Sequence, residues 1–138
     1  MFDIFKKKEN NNNIFIKIAC LLVHAAKIDE IFTNKERDII KKTILNLGVE
    51  KNKLDEILID AEKIESNSNQ LLEFTKDIKQ LNQNDKIKIV ESLWKIIYSD
   101  DQSDIYESNL MRRLTGLLYL DNKIVGNIKE KIIKDLEN

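Results

Sequence analysis

The absence of proline from a chain of 138 residues is the feature that most constrains its fold. The chain also contains only three glycines. Turn-rich all-β folds depend on these two residue types for most of their tight turns, whereas both disfavour the interior of a helix. Because hydrophobic residues make up 42% of the chain, it can bury a core of its own. The composition therefore predicts a single domain made mainly of helices.

Apolar residues recur at helical spacing along most of the chain. The spacing predicts seven helices separated by short polar breaks, at about residues 14–28, 34–47, 51–64, 70–81, 85–99, 105–119 and 122–136. Gly48, directly after the second of them, is typical of a helix end. Residues 1–13 are predicted to be a separate N-terminal segment, a short helix or flexible chain, with the asparagine run 10–13 as a linker or cap. The fold predicted for residues 14–138 is an all-α, compact bundle of antiparallel neighbours.

The two halves of this helical region resemble each other at a constant offset of 71 residues, as from position 29 to position 100. Core and charged positions recur in the same order, in the pairs Leu22 and Leu93, Asp29 and Asp100, Glu36 and Glu107, and Leu47 and Leu118. Helical periodicity alone would match only the apolar positions. The offset therefore predicts two duplicated helical units, at about residues 14–65 and 85–136, related by a pseudo-two-fold axis.

Each unit carries an aspartate followed seven positions later by a glutamate, and the four residues are Asp29, Glu36, Asp100 and Glu107. We call residues 29–36 the first acidic corner and residues 100–107 the second, since each joins two predicted helices. Hard divalent cations such as Ca²⁺ and Mg²⁺ take carboxylate oxygens as ligands. The corners lack the length and the central glycine of an EF-hand loop. One interpretation is therefore a different kind of cation site, either two symmetric sites or one shared site.

Helix capping is the alternative explanation for part of this pattern. Thr33 and Glu36 have the spacing of a capping box that opens a helix, and the second corner repeats the layout with an aspartate as the cap. Capping does not account for Asp29 and Asp100, which lie at the predicted C-terminal ends of the preceding helices. A negative charge there meets the unfavourable end of the helix dipole, so another interaction should offset that cost.

This arrangement resembles the TerB-like family of helical tellurite resistance proteins and their relatives, some of which are modules attached to J-domain co-chaperones. The resemblance rests on residues 21–29 followed by Glu36 and on residues 93–100 followed by Glu107, and it covers about residues 14–135. Where the family pattern has a glycine after the aspartate, this chain has an acidic residue in both units. The resemblance implies an all-helical fold, a metal site at the four carboxylates and a non-enzymatic role in chemical stress.

Two other functions stay open from the sequence. One is a protein-interaction module that needs no metal, similar to the modules of the J-domain co-chaperones. The other is a hydrolase that uses the carboxylates as metal ligands or general bases, although no nucleophile or phosphate-binding loop is visible. Cys20 and His24 share a helix face at a spacing of four residues. They could form a catalytic or metal-binding pair, but a buried thiol and a structural histidine are commoner in such an apolar helix.

Charge and targeting signals predict the partners and the location. A net charge of −1 gives no field that attracts nucleic acid, so protein partners are expected. No secretory signal is visible, and the apolar stretch of residues 14–26 is shorter than the roughly 20 residues that span a bilayer. We therefore expect a cytoplasmic protein without a transmembrane segment. The basic run of residues 6–8 would contact an anionic membrane only weakly.

Overall fold

The computed structural model describes residues 2–28, 32–67, 71–99 and 105–137, with side chains from residue 14 to residue 136 apart from 105–108. Within these ranges the chain forms no β-strand and seven α-helices, which are α1 (Phe2–Ala26), α2 (Asn34–Asn46), α3 (Leu54–Asn67), α4 (Leu71–Ile78), α5 (Gln83–Ile97), α6 (Ile105–Leu117) and α7 (Asn122–Glu137). A short 3₁₀-helix, Lys51–Lys53, precedes α3. The all-α prediction is confirmed.

The first helix begins much earlier than its predicted start near residue 14. Because α1 runs from Phe2 to Ala26 without interruption, the predicted break at the asparagine run 10–13 is wrong. Residues 2–26 contain neither proline nor glycine. Asparagine costs a helix only about 0.7 kcal/mol per residue or less relative to alanine. A polar run without a proline or a glycine therefore does not suffice to end this helix.

The second half of α1 is the central element of the core. Residues 18–23 are all buried, together with Ala25 and Ala26, and α1 packs against α2, α3, α4 and α5. Burying a large aliphatic side chain stabilises a fold by about 1.5–3 kcal/mol, so this segment is a main source of stability.

The fifth helix repeats this pattern in the second half of the chain. Ile89, Leu93 and Ile97 recur every four residues and are all buried, as the predicted apolar face requires. Against α7, the indole Nε1 of Trp94 donates a hydrogen bond of 3.2 Å to the carbonyl of Val125. The second acidic corner follows α5, as the first follows α1.

The offset of 71 residues relates the helix boundaries as well as the sequence. The bounds of α2, shifted by 71, are 105–117, which are the bounds of α6. The last residue of α1, Ala26, falls on the last residue of α5, Ile97. Periodicity of apolar residues does not by itself make helix ends coincide, so this correspondence supports the predicted duplication.

Candidate functional site

Of the four predicted cation ligands, Glu36 is the one whose side chain is described. Glu107 lies on α6, but its side chain lies outside the described residues, as do Asp29 and Asp100 altogether. The convergence of the four carboxylates therefore stays a prediction. Among the described residues, no three histidine, cysteine, aspartate or glutamate side chains are grouped so that they could hold a metal ion.

Glu36 is buried at the start of α2, with 4% of its surface exposed. Its Oε1 atom accepts hydrogen bonds of 2.9 Å from the backbone N–H and from the hydroxyl of Thr33. In return the N–H of Glu36 donates to the Thr33 hydroxyl at 3.1 Å. The predicted capping box is thus confirmed, and the helix dipole adds to the stabilisation of the charge. The box fixes the carboxylate in one orientation at the edge of the first corner.

Arg37 connects the start of α2 to α3. Its guanidinium lies 4.6 Å from the centre of the Phe32 ring, in a cation–π contact, and donates a 2.8 Å hydrogen bond to Oε1 of Glu62. Phe32 and Arg37 stand at the two positions around a helix start that a hydrophobic staple usually occupies. This pair is absent from the sequence predictions above, although its spacing around the Thr33 cap is a usable signal.

Lys35 links the start of α2 to the end of α5. Its Nζ atom donates a hydrogen bond of 3.0 Å to the carbonyl oxygen of Ser99, which is 64 residues away in the sequence. Lys35 belongs to the first corner, and Ser99 directly precedes the second. The start of α2 therefore lies against the end of α5, at the same end of the bundle.

A cavity of about 430 Å³ provides a second link between the two halves at this end. Its described lining consists of Ile28 from the end of α1 and of Asn109, Leu110 and Arg113 from α6. Ile28 directly precedes the first corner, and α6 begins within the second. The end of each long core helix thus faces the second helix of the other unit.

The predicted ligands are of the kind that a hard divalent cation takes. The four predicted ligands are all carboxylates, which Ca²⁺ and Mg²⁺ prefer together with backbone carbonyls. One such carbonyl, that of Ser99, already accepts a positively charged group, the ammonium of Lys35. That Asp29, Glu36, Asp100 and Glu107 supply the oxygen ligands of such an ion stays a prediction.

Cys20 lies in the core and does not have the environment of a nucleophile. It has no exposed surface, and its Sγ atom donates to the carbonyl of Ala61 at 3.6 Å. Burial, and secondarily the negative charge of Glu65, raises the pKa of the Cys20 thiol to about 12. A reactive cysteine needs a lowered pKa instead, so the geometry favours the structural interpretation of this residue.

His24, the other member of the pair, points to a carboxylate. Its Nδ1 atom lies 3.3 Å from Oε1 of Glu65, while Oε2 of Glu65 accepts a hydrogen bond of 3.1 Å from Lys27. These contacts tie α1 to the end of α3. They give His24 a structural role in joining the two helices.

The comparison with protein families gives a match over most of the chain. The family model of tellurite resistance protein TerB matches residues 15–130, close to the span of the resemblance found in the sequence. No curated protein and no solved structure matches the chain. Within the described residues, none of the helices is both long enough and apolar enough to cross a membrane.

Proposed function

Since the chain belongs to the TerB family, we propose that it is a non-enzymatic helical protein that binds a divalent cation at its two acidic corners. The cation is a hard one such as Ca²⁺ or Mg²⁺, and its ligands are Asp29, Glu36, Asp100 and Glu107. In the cell, the protein would serve the response to tellurite or to another chemical stress.

The contact between Lys35 and Ser99 is the observation that carries this proposal. It joins the start of α2 to the end of α5, and the two corner sequences next to these helix ends contain seven carboxylates and a single basic residue. Negative charges crowded at one end of a small domain repel one another and destabilise the compact state. A divalent cation would relieve this repulsion and would also explain why Asp29 and Asp100 follow the ends of helices.

Calorimetric titration of the folded protein with CaCl₂ and MgCl₂ tests the proposal. We expect binding heat, and a rise in the thermal unfolding midpoint because a ligand of the native state stabilises it. The double variant Asp29→Asn/Asp100→Asn should lose both effects. A matched control is Asp55→Asn/Asp135→Asn, which removes the same charge from two exposed positions on α3 and α7 and should bind as the wild type does. Wild-type protein that is folded and shows neither effect at millimolar metal would refute the cation site.

Tyr119 favours a second candidate function, a metal-independent protein-interaction module like those of the J-domain co-chaperones. This side chain is 73% exposed, and its ring is contacted by the ammonium of Lys79 at 5.4 Å from the ring centre. Exposed aromatic residues of this kind are frequent anchors of protein interfaces. If Tyr119→Asn abolishes the capture of a partner while Asp29→Asn/Asp100→Asn preserves it, this function gains over cation binding.

A further inference from the structure

We propose that a cleft beside the end of α2 binds a small aliphatic primary amine. The cleft has a volume of about 280 Å³, close to the lower limit of about 300 Å³ for ligand pockets, so it suits a ligand of a few atoms. Its lining includes Ile14, Phe15, Ile18, Leu47, Gly48 and Asp85. The cleft lies at the opposite end of α2 from Lys35, so the proposal is independent of the acidic corners.

The second unit holds an ammonium of its own beside the matching turn, the one after α6. Lys86 is buried, with 7% of its surface exposed, and its Nζ atom donates a hydrogen bond of 2.9 Å to the carbonyl oxygen of Leu118. The carbonyl end of a helix carries a negative partial charge, so a cation is favourable there. The protein therefore shows directly how an alkyl chain that ends in an ammonium fits against such a turn.

The turn after α2 has the same backbone hydrogen bonds as the turn after α6. The N–H groups of Leu47, Gly48 and Val49 donate to the carbonyls at positions 43, 45 and 44, and a shift of 71 residues converts these three bonds into those of the second turn. The carbonyl of Leu47 thus corresponds to that of Leu118. The position that corresponds to Lys86, however, is held by Phe15. The first unit therefore has the acceptor and a cleft beside it, and no lysine or arginine among the described side chains donates to that acceptor.

Asp85 provides the negative charge that would hold an amine from solution. It lines the cleft, and its Oδ2 atom accepts a hydrogen bond of 3.1 Å from the amide of Asn82. Among the described side chains, no lysine or arginine forms an ion pair with this carboxylate. A charge-assisted hydrogen bond to a carboxylate is about twice as strong as a neutral one, while Ile14 and Ile18 offer apolar surface to an alkyl chain. The cleft thus combines the two features that a short alkylammonium needs.

Nuclear magnetic resonance titration of the folded protein with n-butylamine hydrochloride tests the proposal. This probe is the side chain of lysine without its backbone, and it is protonated at pH 7. We expect the amide signals of residues 47–49 and of Asp85 to shift and to saturate at about 1–10 mM amine, as the small number of ligand atoms implies. Butan-1-ol has the same chain without the charge and should bind at least about tenfold more weakly.

Four variants locate the site. Phe15→Lys supplies an internal ammonium, as Lys86 does in the second unit, and should abolish binding of the amine, whereas Phe15→Leu keeps an apolar side chain and should bind. Asp85→Asn should raise the Kd at least about fivefold through the lost charge. Asp135→Asn removes the same charge from an exposed position on α7 and should stay within about twofold of the wild type.

The outcomes either support the amine site or overturn it. Saturable binding of butylamine that Asp85→Asn weakens and Phe15→Lys removes would support it. Equal binding of butan-1-ol would show that the cleft recognises no charge, and binding that survives both substitutions would place the amine elsewhere. Folded wild type without a saturable shift at about 50 mM amine would also overturn the proposal. If circular dichroism shows that Phe15→Lys is unfolded, the comparison of Asp85→Asn with Asp135→Asn still decides.

Discussion

Gly48 and Tyr119 occupy equivalent positions in two turns whose backbone hydrogen bonds coincide. In each turn, the next residue donates its N–H to the carbonyl five positions earlier, Ile44 at 3.3 Å after α2 and Thr115 at 3.0 Å after α6. Gly48 has a φ of 115° and Tyr119 a φ of 55°. Both turns therefore require a left-handed residue, which costs an L-amino acid other than glycine roughly 1–2 kcal/mol. Of these two turns, the second is the one that bears this cost, because it has Tyr119 where the first has Gly48.

The same substitution at two glycines should consequently have opposite effects. Gly48→Ala should lower the free energy of unfolding by about 1 kcal/mol, because alanine is strained at positive φ. Gly116→Ala, in the last turn of α6, should raise it by up to about 0.5 kcal/mol through helix propensity. An added Cβ meets no atom within 4 Å at either position, so packing does not confuse the comparison. Urea unfolding followed by circular dichroism measures both values, and a shift of the same sign in both variants would contradict this account.

The capping box at Thr33 gives a second prediction. Thr33→Ala removes the hydroxyl that accepts the N–H of Glu36 and should lower the free energy of unfolding by about 1 kcal/mol, a typical value for the loss of an N-cap. Thr33→Ser keeps the hydroxyl and should lose much less. Hydrogen exchange in the first turn of α2 should speed up in the alanine variant. Equal stability of the two variants would show that the box does not stabilise the helix.

Features encoded by a few neighbouring residues were predictable from the sequence. Thr33 and Glu36 form their box within four residues, and Gly48 ends α2 as its type and position indicate. The uninterrupted α1 differs from the prediction because asparagine is only a middling helix former. A short run of such residues suggests a break but does not outweigh the rest of a long helix. Local patterns thus predicted the helix ends of the core better than the beginning of the chain.

The contacts that assemble the candidate site have no local signal. Lys35 and Ser99 are 64 residues apart, and their meeting depends on how α2 packs against α5. In the same way, the spacing of Cys20 and His24 could not show that the thiol donates to Ala61, on α3. Tertiary packing, which a single sequence does not display, decides which chemically interesting residues meet.

The ion pair between Lys17 of α1 and Asp77 of α4 predicts a small pH dependence of stability. The hydrogen bond from Lys17, and secondarily its charge, holds the pKa of Asp77 below its ordinary value of 3.8. A carboxyl group whose pKa is lowered by folding stabilises the fold at pH values above its ordinary pKa. This contribution is lost as the pH falls through the pKa of the folded chain. Since the side chains of Lys17 and Asp77 are 37% and 43% exposed, solvent screening keeps the contribution under about 1 kcal/mol.

Asp77→Asn should therefore be slightly less stable than the wild type near pH 6, and the gap should close in strong acid. Urea unfolding at a series of pH values checks this, with added salt at pH 6 as the control for screening. If the difference in the free energy of unfolding between the two proteins grew on acidification, the pKa of Asp77 would not be lowered in the folded chain.

Cys20 should be nearly inert towards thiol reagents in the native protein. With a pKa of about 12, only about one thiol in ten thousand is ionised at pH 8, and burial keeps the reagent away as well. Labelling with a disulfide reagent should then proceed at the rate of opening of the fold and become fast in urea. The control is Ser66→Cys in a Cys20→Ala background, which offers a thiol at an exposed position on α3 and should react at once without urea.

The raised pKa of Cys20 also has a defined consequence for stability at alkaline pH. In the unfolded chain the thiol ionises near 9.0, whereas the folded chain holds it neutral until about 12. The contribution of the neutral thiol is thus complete below pH 9 and declines as the pH rises through this interval. The stability advantage of the wild type over Cys20→Ala should therefore shrink between about pH 9 and pH 10.5. Lysines and tyrosines titrate alike in both proteins, so they do not affect this difference. If the advantage is constant over that range, the thiol is not held neutral by its burial.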